Sequence, residues 1–193
     1  MLILVRHGRT EANAGGLLQG RLDLPLDELG RAQAAAVGAA LSGVSRVVCS
    51  PLLRTRQTAE ALGLPVTVDE RWVELDYGEW DGQPLGSLPR EAWATWRADI
   101  GFTPPGGESL LTLGVRVREA CADLCDEAAE HDVVVVSHVS PIKAAAAWAL
   151  GTSDEITWRL FLSPASITRV VTAGPAPSLH AFNDTAHLAA LTP

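Results

Sequence analysis

The sequence is short of lysine, of cysteine and of long apolar runs. Lys143 is its sole lysine, so every other cationic side chain among the 15 is arginine, set against 23 acids for a formal net charge of −8. An acidic chain of this kind argues against nucleic-acid binding and against adhesion to anionic membrane surfaces. Three cysteines, an odd number, make no disulfide framework and predict reduced thiols in a cytoplasmic protein. Met1 is followed by the apolar run Leu2-Ile3-Leu4-Val5, which Arg6 ends before it reaches the length of a signal-peptide core. No apolar stretch approaches the ~20 residues of a transmembrane helix. Walker-type glycine loops and carboxylate clusters able to hold a metal are missing as well, so neither metal nor cofactor is expected.

What is present is ample apolar material. Hydrophobic residues make up 47% of 193 positions, enough for a core in one domain spanning 1–193. Short apolar runs at Leu2–Val5, Arg46–Cys49, Val66–Val68 and Val133–Val136 read as strands. Between them, Leu29–Leu41 reads as a helix capped by Asp27, Pro51–Leu62 as one capped by Ser50, and Pro141–Leu150 as one capped by Ser140. From Glu108 to Glu130, Leu110, Leu113, Val117, Cys121, Leu124 and Ala128 step by three or four, the stripe of a long amphipathic helix. Ile167–Thr172 and Ser178–Phe182 flank Gly174-Pro175-Ala176-Pro177 and predict a terminal antiparallel pair. The alternation predicts an α/β fold, a three-layer α/β/α sandwich with a mostly parallel central sheet. Residues 72–105, irregular and with several Gly, Pro and Trp, predict a small cap insertion with a short helix near Glu91–Ala98.

Chemistry is expected at one sheet edge. Arg6 and His7 follow the first strand, and His138 follows Val133–Ser137. Arg54 sits in the first turn of a helix, where a cation opposes the dipole unless an anion justifies it. Two similar strand ends, Cys49-Ser50-Pro51 and Val139-Ser140-Pro141, each open a helix at that edge, where free N–H groups suit an anion. Singly, each residue reads as an ordinary solvated or structural group; their convergence is what points to function. Glu74, Asp76, Glu79 and Asp81 supply a candidate acid, and the physics of the sequence does not separate them. A histidine can act as a covalent nucleophile, and arginines can neutralise a phosphoryl group without a metal.

These residues resemble the histidine phosphatase (phosphoglycerate mutase-like) superfamily. Leu4-Val5-Arg6-His7-Gly8-Arg9-Thr10 is similar to its opening, with Asn13 in place; Gln19-Gly20, Asp23, Pro25-Leu26 and Leu29-Gly30 follow. Ser50-Pro51-Leu52-Leu53-Arg54-Thr55-Arg56-Gln57-Thr58-Ala59, then Glu74 with Gly78 and Trp80-Asp81-Gly82, then Pro105-Gly106-Gly107-Glu108-Ser109 and Val135-Val136-Ser137-His138, come in the family's order. The resemblance implies His7 as the nucleophile that becomes phosphohistidine, and Arg6, Arg54 and His138 as the phosphoryl clamp. Asn13, Gln19 and Gly20 would help bind substrate, with Arg9 and Arg21 as further cations near the mouth. Glu74 would protonate the leaving oxygen and then activate water. Two departures stand out: Arg9 where Glu or Gln is usual, and Val139 where glycine is usual.

The resemblance thus implies a metal-independent phosphatase acting on a small phosphomonoester, with a cofactor-dependent phosphoglycerate mutase as the alternative and a non-catalytic phosphoester-binding module as the third reading. The short chain favours the phosphatase. Trp93 and Trp96 serve equally as substrate cap or as packing. Cys121 and Cys125, four apart but without further ligands at metal spacing, read as buried or half-buried thiols. His131 reads as a solvated turn residue, and the tail Asn183–His187 carries no catalytic expectation.

Overall fold

A computed structural model describes residues 1–191. Strand β1 (Leu2–Arg6) leads through a short α1 (Glu11–Ala14) to α2 (Glu28–Ala40), β2 (Arg46–Cys49), α3 (Leu53–Glu60) and β3 (Val66–Val68). Residues 72–105 then hold 3-10 turns at Gly78–Trp80 and Leu85–Ser87 and the helix α4 (Arg90–Ala98). The long α5 (Leu110–Glu130), β4 (Val133–Ser137), α6 (Val139–Ala149), β5 (Ile167–Val171) and β6 (Ser178–Asp184) complete the framework.

The six strands form one sheet in the order β3-β2-β4-β1-β5-β6. Strands β1, β2, β3 and β4 pair in parallel, while β5 runs antiparallel to both β1 and β6. The continuous apolar runs are explained by burial on both faces. Leu2, Leu4, Val133 and Val135 pack with α5 and α6 residues, whereas Ile3, Val5, Val134 and Val136 pack with Val37 of α2 and Ala59 of α3. Helices on both sides of a mostly parallel sheet make the expected three layers. On α5 the whole predicted stripe from Leu110 to Ala128 is buried, including Cys121.

Helix starts differ from the sequence reading, and the reason is tertiary. Ser50 does not cap α3: the helix begins at Leu53, whose N–H is taken by the Asp23 carboxylate at 2.6 Å. Ser140 does not cap α6 either, which already begins at Val139. There the Glu74 carboxylate accepts from Val139 N and Ser140 N, both at 3.1 Å. In both cases a distant carboxylate does what a local serine was expected to do. Asp27 does cap α2, accepting from Gly30 N.

The segment 72–105 is organised around aromatics. Trp96 of α4 stands within 5.2–5.8 Å of the rings of Tyr77, Trp80, Trp93 and Trp158. Among the described residues, no helix is long and apolar enough to cross a membrane.

Candidate active site

Sheet register brings the two histidines together. Arg6 at the end of β1 is paired with Ser137 at the end of β4, so the next residues, His7 and His138, emerge side by side. Their rings meet edge-on with centroids 5.1 Å apart. The His7 N–H donates to Ser137 O, and the Ala165 N–H donates to His7 O, so the His7 peptide is clamped by β4 on one side and by the loop before β5 on the other. Gly8 is required here by close approach: a Cβ would lie 2.4 Å from the Gly30 carbonyl oxygen.

The imidazole of His7 is oriented by its own backbone. Its Nδ1 lies 2.7 Å from the Gly8 carbonyl, which can only accept, so Nδ1 carries the proton and Nε2 keeps a lone pair. Burial, followed by the charges of Arg54 and Arg6, holds the His7 pKa well below the usual imidazole range; the bond to Gly8 opposes this without reversing it. Burial and the same cations keep His138 neutral in the same way. Its Nε2 is 2.7 Å from the Ser50 hydroxyl, which also accepts a long bond from Leu52 N at 3.4 Å.

Arg54 is fully buried beneath these rings. Its Nε–H is shared between His7 Nε2 at 3.3 Å and His138 Nδ1 at 3.2 Å. Its other nitrogens donate to the carbonyls of Leu22 at 2.7 Å and Gly20 at 2.8 Å. Arg6 differs: Nη1 donates to Leu162 O at 2.6 Å, and Nε is buried with no partner. Burial lowers both guanidinium pKa values to about 10, with the Glu74 charge opposing. Two cations and an unmatched donor beside a neutral imidazole form a receptor for an anion.

Arg6, His7, Asn13, Gln19, Glu74, Tyr77 and Val139 share the wall of a cavity of about 340 Å³. Burial separates the four candidate acids. Glu74 is 3% exposed and reaches the cavity, held by the N–H groups of Leu75, Val139 and Ser140. Asp76 turns back to Gly78 N, Glu79 is exposed, and Asp81 accepts from the N–H groups of Gly20, Arg21 and Leu22. Gly20 therefore enters through its backbone, its carbonyl on Arg54. The side chains of Arg9 and Arg21 do not line the cavity: Arg9 pairs with Asp27 at 2.7 Å, and Arg21 lies 3.8 Å from Asp76 and 3.7 Å from Glu108. Asn13 presents its amide while its oxygen accepts from Thr10 in a capping box on α1.

Several supporting residues carry no local signal in the sequence. Arg116 of α5 donates to the carbonyls of Arg71 and Val73 and pairs with Glu108, fixing the backbone that leads to Glu74. The loop before β5 holds Arg6 and His7 through Leu162 and Ala165, and is itself held from behind: Asn183 accepts from Ser163 N at 2.7 Å, and the His187 ring donates to Ala165 O. That gives the tail Asn183–His187 a structural part. Among the described residues no three of His, Cys, Asp and Glu are grouped as metal ligands.

Comparison with known proteins places this geometry in context. The pattern of the histidine phosphatase superfamily (branch 1) matches residues 2–185. An uncharacterized protein of Mycobacterium bovis is 36% identical over 97% of this chain, which spans only 54% of that relative's length. The glucosyl-3-phosphoglycerate phosphatase of Mycolicibacterium vanbaalenii is 37% identical over 78% of this chain and 74% of its own. Among solved structures, a mycobacterial glucosyl-3-phosphoglycerate phosphatase in complex with vanadate superposes with a TM-score of 0.86 at 32% identity, covering 95% of this chain and 99% of that one.

Proposed function

The chain belongs to the histidine phosphatase superfamily, and from that premise we propose that it is a metal-independent phosphomonoester hydrolase that works through a phosphohistidine at His7. Its substrates are small phosphorylated metabolites. The observation that carries this reading is the tautomer of His7: with Nδ1–H on the Gly8 carbonyl, a neutral Nε2 lone pair sits beside a buried cationic site.

The steps follow from the residues. Arg6 and Arg54 hold the phosphoryl oxygens and spread their charge. For this Arg54 exchanges one of its long contacts, to His7 Nε2 at 3.3 Å or to Gln19 O at 3.5 Å. His7 Nε2 forms a bond to phosphorus as the bond to the ester oxygen breaks, and Glu74, having taken a proton from the bound phosphoryl monoanion, passes it to that oxygen. Glu74, now a carboxylate, takes a proton from water; the water oxygen attacks phosphorus, the N–P bond breaks, and phosphate leaves with His7 neutral again. His138 assists as a hydrogen-bonding partner of the phosphoryl group, and Asn13, Gln19 and the backbone at Gly20 complete the binding site.

We take residues 1–193 as one domain in which 72–105 sets specificity, since this segment supplies Glu74, Tyr77 and Leu85 to the cavity. The three unpaired cysteines support a cytoplasmic setting.

The test is release of inorganic phosphate from p-nitrophenyl phosphate, run beside isomerisation of 3-phosphoglycerate. Phosphate release that disappears in His7→Ala supports the hydrolase. Strong isomerisation without phosphate release favours the mutase, and binding without turnover of either compound favours a phosphoester-binding module.

A further inference from the structure

The cavity that contains His7 continues into a second hollow of about 130 Å³, the two sharing Leu18, Tyr77, Leu85 and Val139 in their walls. Its far side is aromatic and apolar, formed by Trp93, Trp96, Trp158 and Leu110. One charged side chain lines it: Lys143, the chain's sole lysine. Lys143 follows Val139 by four positions on α6, so the two lie on one helix face, with side chains leaning toward the helix start and the His7 cavity.

Lys143 is half-buried, and no hydrogen bond or ion pair holds its ammonium group among the described residues. Burial lowers its pKa, the Glu74 charge opposes, and Arg6 adds to the lowering. A cation that loses hydration without gaining a partner is a standing cost, which an incoming anion would relieve. Among the described residues the other cations around this cavity are engaged, Arg6 through Nη1 with Leu162, Arg54 with Gly20 and Leu22, and Arg116 with Glu108.

We propose that Lys143 is a specificity-determining residue that receives a second anionic group of the substrate, a carboxylate, in the aromatic hollow beyond the phosphoryl site. The chemistry favours a carboxylate over a second phosphate. The hollow is small and offers one point charge with no arginine fork, which suits a singly charged group. The preferred substrates are then phosphomonoesters of small hydroxy acids, with the aromatic walls covering the carbon frame between the two anions. This inference rests on the hydrolase reading above.

The experiment compares 3-phosphoglycerate with glycerol 3-phosphate, which differ by a carboxylate in place of a hydroxymethyl group, with p-nitrophenyl phosphate as the common reference. Wild-type protein should favour 3-phosphoglycerate in kcat/KM, chiefly through KM. Lys143→Met should reduce that preference by about tenfold or more, and Lys143→Arg, which keeps the charge, should retain most of it. A preference unchanged in Lys143→Met, or no preference in the wild type while p-nitrophenyl phosphate is hydrolysed, overturns the role of Lys143 and leaves the hydrolase standing. Absence of turnover of all three compounds overturns the hydrolase reading itself. If Lys143→Met does not fold, the ratio in the wild type and in Lys143→Arg decides: equal handling of the two esters refutes the proposal.

Discussion

Replacing Asp81 by alanine should disturb a guanidinium that the carboxylate never touches. Asp81 accepts from the N–H groups of Gly20, Arg21 and Leu22 at 2.7, 2.8 and 2.9 Å. The carbonyls of Gly20 and Leu22 in turn hold Arg54, and Arg54 Nε bridges the two histidines. Hydrogen bonds to an ionised acceptor are worth about 1.5–3 kcal/mol when well buried. Two of the three here are exposed, so about 1 kcal/mol each is the fair discount, and the sum is about 3 kcal/mol of stability. If a third to a half of this is felt as misplacement of Arg54, kcat should fall about tenfold, since ~1.4 kcal/mol is one decade in rate. Asp81→Asn keeps one acceptor oxygen and should show about half of both effects. Urea unfolding and steady-state turnover of p-nitrophenyl phosphate read the two quantities. A stability loss below about 0.5 kcal/mol, or the full loss with kcat unchanged in folded protein, refutes the relay through Arg54.

Four further outcomes are expected. Quenching His7→Ala and the wild type during turnover of 32P-labelled substrate should leave an acid-labile, base-stable label in the wild type only; a label on serine counts against His7 as nucleophile. Arg116→Ala should cost about 2–4 kcal/mol, because backbone carbonyls and Glu108 lose a well-buried partner together, and it should also lower kcat by loosening Glu74; unfolding curves and kinetics check both. Burial and neighbouring cations hold His7 and His138 well below the usual imidazole range in the folded state, so on acidification the unfolded chain takes up protons first. Stability should then fall as pH drops below about 6.5, by up to ~1.4 kcal/mol per pH unit for each ring, until the folded pKa is reached. Urea midpoints from pH 7.5 to 5 should show the decline and His138→Gln should flatten it; a flat wild-type profile contradicts the neutral-imidazole assignment. Asn183 sits at φ 55 with its side chain on Ser163 N, so Asn183→Ala should lose about 1–2 kcal/mol from both effects, measured by thermal unfolding.

The sheet, and the edge where the candidate residues converge, were legible because their determinants are local. Apolar runs marked the strands, and parallel pairing of two adjacent strand ends was enough to set His7 beside His138. What stayed hidden depends on partners far along the chain. Ser50 and Ser140 look like helix caps in sequence, but Asp23 and Glu74 supply those bonds across tens of residues. Glu74 could not be told from Asp76, Glu79 and Asp81 because spacing says nothing about burial. Arg9 and Arg21, expected as free cations near the mouth, are matched by acids that only folding brings near.

The loop before β5 bears on how the protein is made. A ribosome delivers Arg6 and His7 well before Leu162 and Ala165, which grip them, and Asn183 and His187, which hold that loop, come later still. During translation His7 therefore exists as a residue long before its backbone is held in place. A chain stopped after α6 would contain Arg6, His7, Arg54, Glu74 and His138 and still lack the bonds that hold Arg6 and the His7 backbone. The geometry of this edge is therefore completed by residues from the far end of the sequence, and it is set all at once rather than growing with chain length.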